Sequence, residues 1–132
     1  MKPILRAFLN KLLGDRAERA AAAFLRKQGM RILSRGYRTG QGQIDLIARD
    51  RDVVVFVEVK ARRRGVPAEA VTLEKQRRLT LAALHFQRKY GLLDCPARFD
   101  VVSVLWPDDQ GQPAIEHIPN AFEAVGRRQM FR

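Results

Sequence analysis

The segments Gln43-Ile44-Asp45-Leu46-Ile47 and Phe56-Val57-Glu58-Val59-Lys60 each set a charge inside a run that otherwise reads as buried strand. Ionised side chains are seldom buried without a partner. Asp45, Glu58 and Lys60 are therefore the residues with chemistry to offer, and two readings compete. In the first they converge on a divalent metal and a phosphate; in the second they form a buried ion pair or line an exposed strand face. Two facing carboxylates repel, and each has its pKa raised unless a cation sits between them. Magnesium meets that need, because it binds one or two carboxylates, keeps several waters and takes further oxygens from a substrate phosphate. Asp45 and Glu58 are the expected ligands, with the Val59 carbonyl as a third candidate. Lys60 is expected at the attacking water or the scissile phosphate, where its charge would stabilise the transition state.

The elements that must position these residues are readable from periodicity. Asp15 and Glu18 have capping-box spacing, and Ala17, Ala21, Phe24, Leu25 and Gln28 follow one stripe, which predicts a first helix from about Gly14 to Gly29. Met30 to Arg35 reads as a strand, and Thr39-Gly40-Gln41-Gly42 as a loop. Ile44 to Ala48 and Val53 to Lys60 read as two strands joined at Asp50-Arg51-Asp52. If Asp50 pairs with Val53, Asp45 falls opposite Glu58, with β-carbons roughly 5 Å apart on one face. A one-residue slip would destroy that alignment. Glu58 and Lys60, two apart, share a face in any register.

Val66 to Val71 reads as a connection after the strand. Thr72 is a suitable cap for a second helix running to about Tyr90, with Leu73, Gln76, Leu79, Ala83, Phe86 and Tyr90 on its stripe and Gly91 ending it. Arg98 to Leu105 reads as a strand, Trp106 to Gly111 as a turn and Ala114 to Ile118 as a last short strand. The expected fold class is α/β, a mixed sheet flanked by helices in the order α-β-β-β-α-β-β, with one domain over 14–123, an N-terminal extension over 1–13 and a basic tail over 124–132.

A chain of 132 residues and 15.1 kDa suits one core, and a net charge of +11 favours a polyanionic partner such as nucleic acid. The cations are 19 Arg and 6 Lys. Arg carries forked donors that suit phosphate oxygens, although an Arg-heavy balance also follows from genome base composition. The single cysteine, Cys95, excludes an intramolecular disulfide and a multi-cysteine zinc site. Arg6 and Lys11 interrupt any signal-peptide core in the first thirteen residues, and no apolar run is long enough for a membrane. The expectation is a cytoplasmic protein without a membrane partner.

Taken together, Glu18 on the first helix, Gly42-Gln43-Ile44-Asp45 on a strand, Glu58-Val59-Lys60 on the next and Gln76 on the second helix resemble the PD-(D/E)XK nuclease superfamily, in particular the YraN family of small bacterial predicted endonucleases. Archaeal Holliday-junction resolvases are similar in arrangement. The resemblance spans about residues 14–123 and takes in Arg98-Phe99-Asp100-Val101-Val102 and His117-Ile118-Pro119-Asn120-Ala121-Phe122. It implies a core of the restriction-endonuclease type, Asp45 and Glu58 as metal ligands, Lys60 as the catalytic lysine and Mg2+ or Mn2+ as cofactor. The chain departs from the pattern at Gln43, where relatives commonly carry Glu, a change that would weaken metal binding if that Glu assists.

The remaining candidates have two readings each. Glu18 closes a capping box with Asp15 or orients metal-bound water, and Gln76 is a hydrogen-bonded core amide or a phosphate contact. Arg62, Arg63 and Arg64, with Arg38, Lys75 and Arg78, are the expected contacts to a nucleic-acid backbone; Lys75, Arg77 and Arg78 could equally be ordinary helix charges. His85 and His117 lack ligand-spaced partners and read as structural, and strand-end hydrogen bonding is the default for Asp100. The leading expectation is a metal-dependent DNA endonuclease, selective for branched or single-strand-containing DNA, for which a homodimer is an open expectation. The alternative is a catalytically weak nucleic-acid-binding accessory module of repair or recombination. An RNA-processing factor is less favoured, because no aromatic stacking platform is evident.

Overall fold

The structure is a computed structural model, and it describes residues 2–63, 70–107 and 111–126. Helix α1 spans Pro3–Lys27, followed by strands β1 (Arg31–Arg38), β2 (Gln43–Asp50) and β3 (Val53–Arg63), helix α2 (Leu73–Lys89) and strands β4 (Ala97–Trp106) and β5 (Ala114–Phe122). The expected α-β-β-β-α-β-β order is the observed one. The five strands form one sheet in the order β1-β2-β3-β4-β5, antiparallel except for the parallel pair β3–β4. A parallel pair needs a crossover connection, and α2 is that crossover.

Each helix covers one face of the sheet. Ala17, Ala21, Ala22 and Leu25 of α1 pack with Leu46, Ala48, Val55, Val57, Val102 and Val104. Leu79, Ala82, Ala83 and Phe86 of α2 pack with Ile44, Ile47, Val54, Phe56, Ala97 and Phe99 on the other face. Burial on both faces is why β3 reads as an almost unbroken apolar run up to Glu58.

Three expectations require correction. Helix α1 starts at Pro3, with Lys2 as its N-cap residue, so Asp15 and Glu18 lie in the helix interior and form no capping box. Pro at the first helical position needs no amide donor, and the Leu, Ala, Lys and Arg that follow are good helix formers. These carry the helix through Gly14, where a β-carbon would meet nothing within 4 Å. The first turns stand clear of the core, leaving Ile4, Leu5, Phe8, Leu9 and Leu12 exposed. In α2 the cap at Thr72 is as expected, but Leu73 and Tyr90 are exposed and the buried stripe is Leu79, Ala82, Ala83, Phe86 and Gln87. Strand β5 runs four residues beyond Ile118, to Phe122. The chain then returns to α2: Ala124 packs on its cluster and the Val125 amide donates to Thr80 Oγ1 at 3.1 Å. Residues 127–132 of the basic tail lie outside the described residues, as do 64–69 of the connection after β3 and 108–110 of the turn after β4.

Candidate functional site

The hairpin register is the expected one from Asp50↔Val53 through Leu46↔Val57. The next rung, Asp45 with Glu58, is not formed. Instead the Val59 amide donates to Asp45 Oδ2 at 2.8 Å. Beside Asp45, one strand away, Gly36 takes φ +64°, a left-handed value that suits glycine. Arg35↔Leu46 and Tyr37↔Ile44 bracket Gly36 and Asp45, and the strands change faces across that step. Leu46 packs against α1, whereas Ile44, two residues away, packs against α2. In a regular strand both would share a face. This paired kink turns the Asp45 carboxylate toward β3.

Glu58 continues the α2-facing series of Val54 and Phe56. It is only 4% exposed, and Lys75 Nζ lies 2.7 Å from its Oε1. Its second oxygen, Oε2, is buried and has no hydrogen-bond partner among the described residues. Lys75 is delivered by the helix cap: Thr72 Oγ1 accepts the Lys75 amide at 3.1 Å, which fixes the first turn of α2 beside the sheet. Gln76 pins the entry to the same turn by donating from Nε2 to the Val71 carbonyl at 2.9 Å.

Burial pushes the Asp45 carboxyl up to about 7; the Glu58 charge adds to this, the Val59 amide opposes it, Glu18 adds again and Lys75 opposes. Glu18, half-buried on α1, is also raised, first by burial, then by Asp15, against the opposing charge of Arg35, with Glu58 adding further. Three carboxylates from α1, β2 and β3 thus feel one another's charge. Among the described residues, no group of three or more His, Cys, Asp and Glu is gathered as a ready metal cage. What is gathered is an acid pair with one bare, buried oxygen. That donor set fits a hard divalent cation, which requires one or two carboxylates and fills its other positions with water or phosphate oxygen.

Lys60 is half-buried on the Glu58 face, opposite Ser103 of β4, and among the described residues it forms no ion pair. Ser103 Oγ, also buried, lacks a partner among the described residues, and so does Nε of the half-buried Arg62. Arg63 and Arg38 are exposed. Arg64 lies outside the described residues. Arg77 and Arg78 are exposed on α2, and Arg78 pairs with Glu74 at 3.3 Å. Lys75 and Arg78 join Gly42, Gln43, Thr72 and Leu79 in lining a cleft of about 250 Å³ between the β1–β2 loop and the start of α2.

On the opposite face, Asp100 is fully buried and heavily bonded. Arg98 donates to it from Nε at 3.0 Å and Nη2 at 3.3 Å, His117 Nε2 lies at 2.8 Å, and the Asn120 amide donates at 2.9 Å. Arg98 also reaches Asp50 at 3.2 Å. Burial works against the Arg98 charge, yet bonding to Asp100 and then Asp50 holds its pKa above the ordinary arginine value. His117 therefore has a structural partner, and so does His85, whose Nδ1 lies 2.6 Å from the Tyr37 hydroxyl.

Fold and site together define a small α/β protein whose mixed sheet opens at one end around a buried acid pair. The model of the uncharacterised protein family UPF0102 matches residues 17–104, a span that includes every member of that pair's surroundings from Glu18 to Lys75. The chain belongs to this family. It is 48% identical over 118 residues to a UPF0102 protein of Trichlorobacter lovleyi, covering 86% of this chain and 92% of the relative. It is 50% identical over 119 residues to one of Geobacter sulfurreducens, covering 86% and 91%. A UPF0102 protein of Rhodopirellula baltica is 46% identical over 123 residues, covering 89% of this chain and 74% of its own length.

Proposed function

We propose that this protein is a divalent-metal-dependent endonuclease that hydrolyses DNA phosphodiester bonds, with branched or single-strand-containing DNA as its substrate class. The observation that carries the reading is the Asp45–Glu58 pair with its bare, buried Glu58 Oε2. Leaving a buried acceptor unsatisfied costs about 1–3 kcal/mol, so such a group points to an occupant or a function. Asp45 and Glu58 would hold Mg2+ or Mn2+; the bound cation would supply Lewis acidity at the phosphate and activate water as nucleophile. Lys60, on the same strand face and without a competing ion pair among the described residues, places its charge for the developing negative charge of the transition state. Arg62, Arg63, Lys75, Arg78 and Arg38 supply sequence-independent contacts to the backbone, so affinity falls steeply with salt. The restriction-endonuclease type of core implied by the sequence resemblance agrees with this assignment.

One observation favours the second reading, a nucleic-acid-binding accessory module: Lys75 already neutralises part of the charge a metal would meet, and Gln43 adds no carboxylate. The two readings separate when purified protein is incubated with labelled linear, flapped, single-stranded and four-way-junction DNA in Mg2+, Mn2+ or chelator. Expected are metal-dependent cuts, reduced at least about a hundredfold in Asp45→Ala, Glu58→Ala and Lys60→Ala protein that still folds and binds. Salt-sensitive binding that survives chelation and Asp45→Ala, without cuts in any condition, would establish the accessory module instead.

A further inference from the structure

We propose that Lys75 is the resident cation of the acid pair: it holds Glu58 in the metal-free protein and competes with a divalent cation for that carboxylate. The inference rests on the metal-dependent reading above. Four observations lead to it. Lys75 Nζ lies 2.7 Å from Glu58 Oε1, a charge-assisted contact to a carboxylate that is only 4% exposed. The lysine side chain itself is 45% exposed, so its head can leave while the Thr72 cap keeps its backbone in place. One ammonium leaves the site incompletely compensated, since among the described residues Glu58 Oε2 has no partner and Asp45 takes only the Val59 amide. Lys60, two residues beyond Glu58 in sequence, forms no ion pair among the described residues.

Charge arithmetic gives the competition its direction. Two ionised carboxylates carry −2; Lys75 offsets one unit, whereas a divalent cation offsets both. With +2 in place, an ammonium against Glu58 Oε1 meets repulsion in a partly desolvated site, where screening is weak. The cleft lined by Gly42, Gln43, Thr72, Arg78 and Leu79 adjoins Lys75, so its side chain has somewhere to go. There it stands with Arg78 on a surface suited to a phosphodiester backbone, a point charge beside a forked donor. Lys75 thus links the two states of the site, as counter-charge when the metal is absent and as backbone contact when it is present.

The test needs no cleavage. Mn2+ binding to the full chain is measured by calorimetry without DNA, for wild type and for Lys75→Gln, Lys75→Arg and Glu58→Gln, with thermal melting in parallel. Half-exposure limits the ion pair, so Lys75→Gln is expected to bind Mn2+ about five- to tenfold more tightly than wild type. It is also expected to melt lower without metal and to regain that loss in Mn2+; Lys75→Arg keeps the wild-type affinity and Glu58→Gln loses binding. Equal or weaker Mn2+ binding by Lys75→Gln, with wild-type binding intact, overturns the competition and leaves the metal site standing. No Mn2+ binding by wild type or by Lys75→Gln overturns both.

Discussion

Asp100 and Glu58 sit one rung apart on adjacent parallel strands, since Val57 pairs with Asp100 and Glu58 with Val101, yet they face opposite sides of the sheet and differ in almost everything else. Both are buried acids, at 0% and 4% exposure. Around Asp100 both oxygens are occupied, by Arg98, His117 and Asn120, and Arg98 is held in turn by Asp50. Around Glu58, among the described residues, one oxygen has a single lysine and the other has nothing. Burial of an acid therefore does not set the two apart; the degree of satisfaction does. A closed network holds β4, β5 and the β2–β3 turn together, whereas at Glu58 an acceptor stays unsatisfied among the described residues.

The sharpest way to break this contrast is to remove each acid and measure stability by denaturant unfolding. Asp100→Ala leaves Arg98 and His117 facing a vacated pocket and is expected to cost about 3–5 kcal/mol. Glu58→Gln, which relieves Asp45 of a like charge and leaves Lys75 largely in solvent, is expected to stay within about 1 kcal/mol of wild type. A large loss in Glu58→Gln with a small one in Asp100→Ala would reverse the assignment of structural and functional acid.

A smaller effect sharpens the comparison through pH. Because the folded Asp45 carboxyl titrates near 7 rather than 3.8, the folded state binds its proton more tightly than the unfolded chain does. This stabilising contribution is complete below about 3.8 and is lost as pH rises toward about 7. Thermal melting across that window, compared between wild type and Asp45→Asn, should show a decline with pH in wild type that the variant lacks. Mn2+ should offset the decline, since a cation favours the ionised form. A profile identical in the two proteins would remove Asp45 as its source.

Much of the scaffold was legible because its determinants are local. The polar turn at Asp50-Arg51-Asp52 sets the hairpin register, Thr72 caps α2, and Gly91, at φ +68°, follows its end. Asp45 and Glu58 stood out as charges in apolar runs, which is a one-dimensional signal. What escaped the sequence depends on distant groups. The kink at Asp45 lies level with Gly36 on a neighbouring strand, a glycine that periodicity alone does not distinguish from any other. Lys75 reaches Glu58 across the crossover, so its spacing in sequence carries no signal and it reads as one more helix cation. Asp100 drew its partners from β4 and β5. The start of α1 was missed for another reason: an internal Asp15/Glu18 pair imitates a cap, and a stretch with exposed apolar residues imitates an extension.

The crossover connection also imposes an order of assembly. Asp45 and Glu58 are carried by a hairpin closed by a two-residue turn, an element that forms in microseconds. Lys75 reaches Glu58 only when α2 docks on the sheet, a closure over a longer loop. Like charges are thus brought together before their counter-charge, and the Lys75–Glu58 contact belongs to the late side of the folding barrier. Contacts of that kind act through the unfolding rate. Stopped-flow kinetics on Lys75→Gln should therefore show faster unfolding with folding unchanged, which makes this ion pair a determinant of how long the folded chain lasts rather than of how quickly it forms.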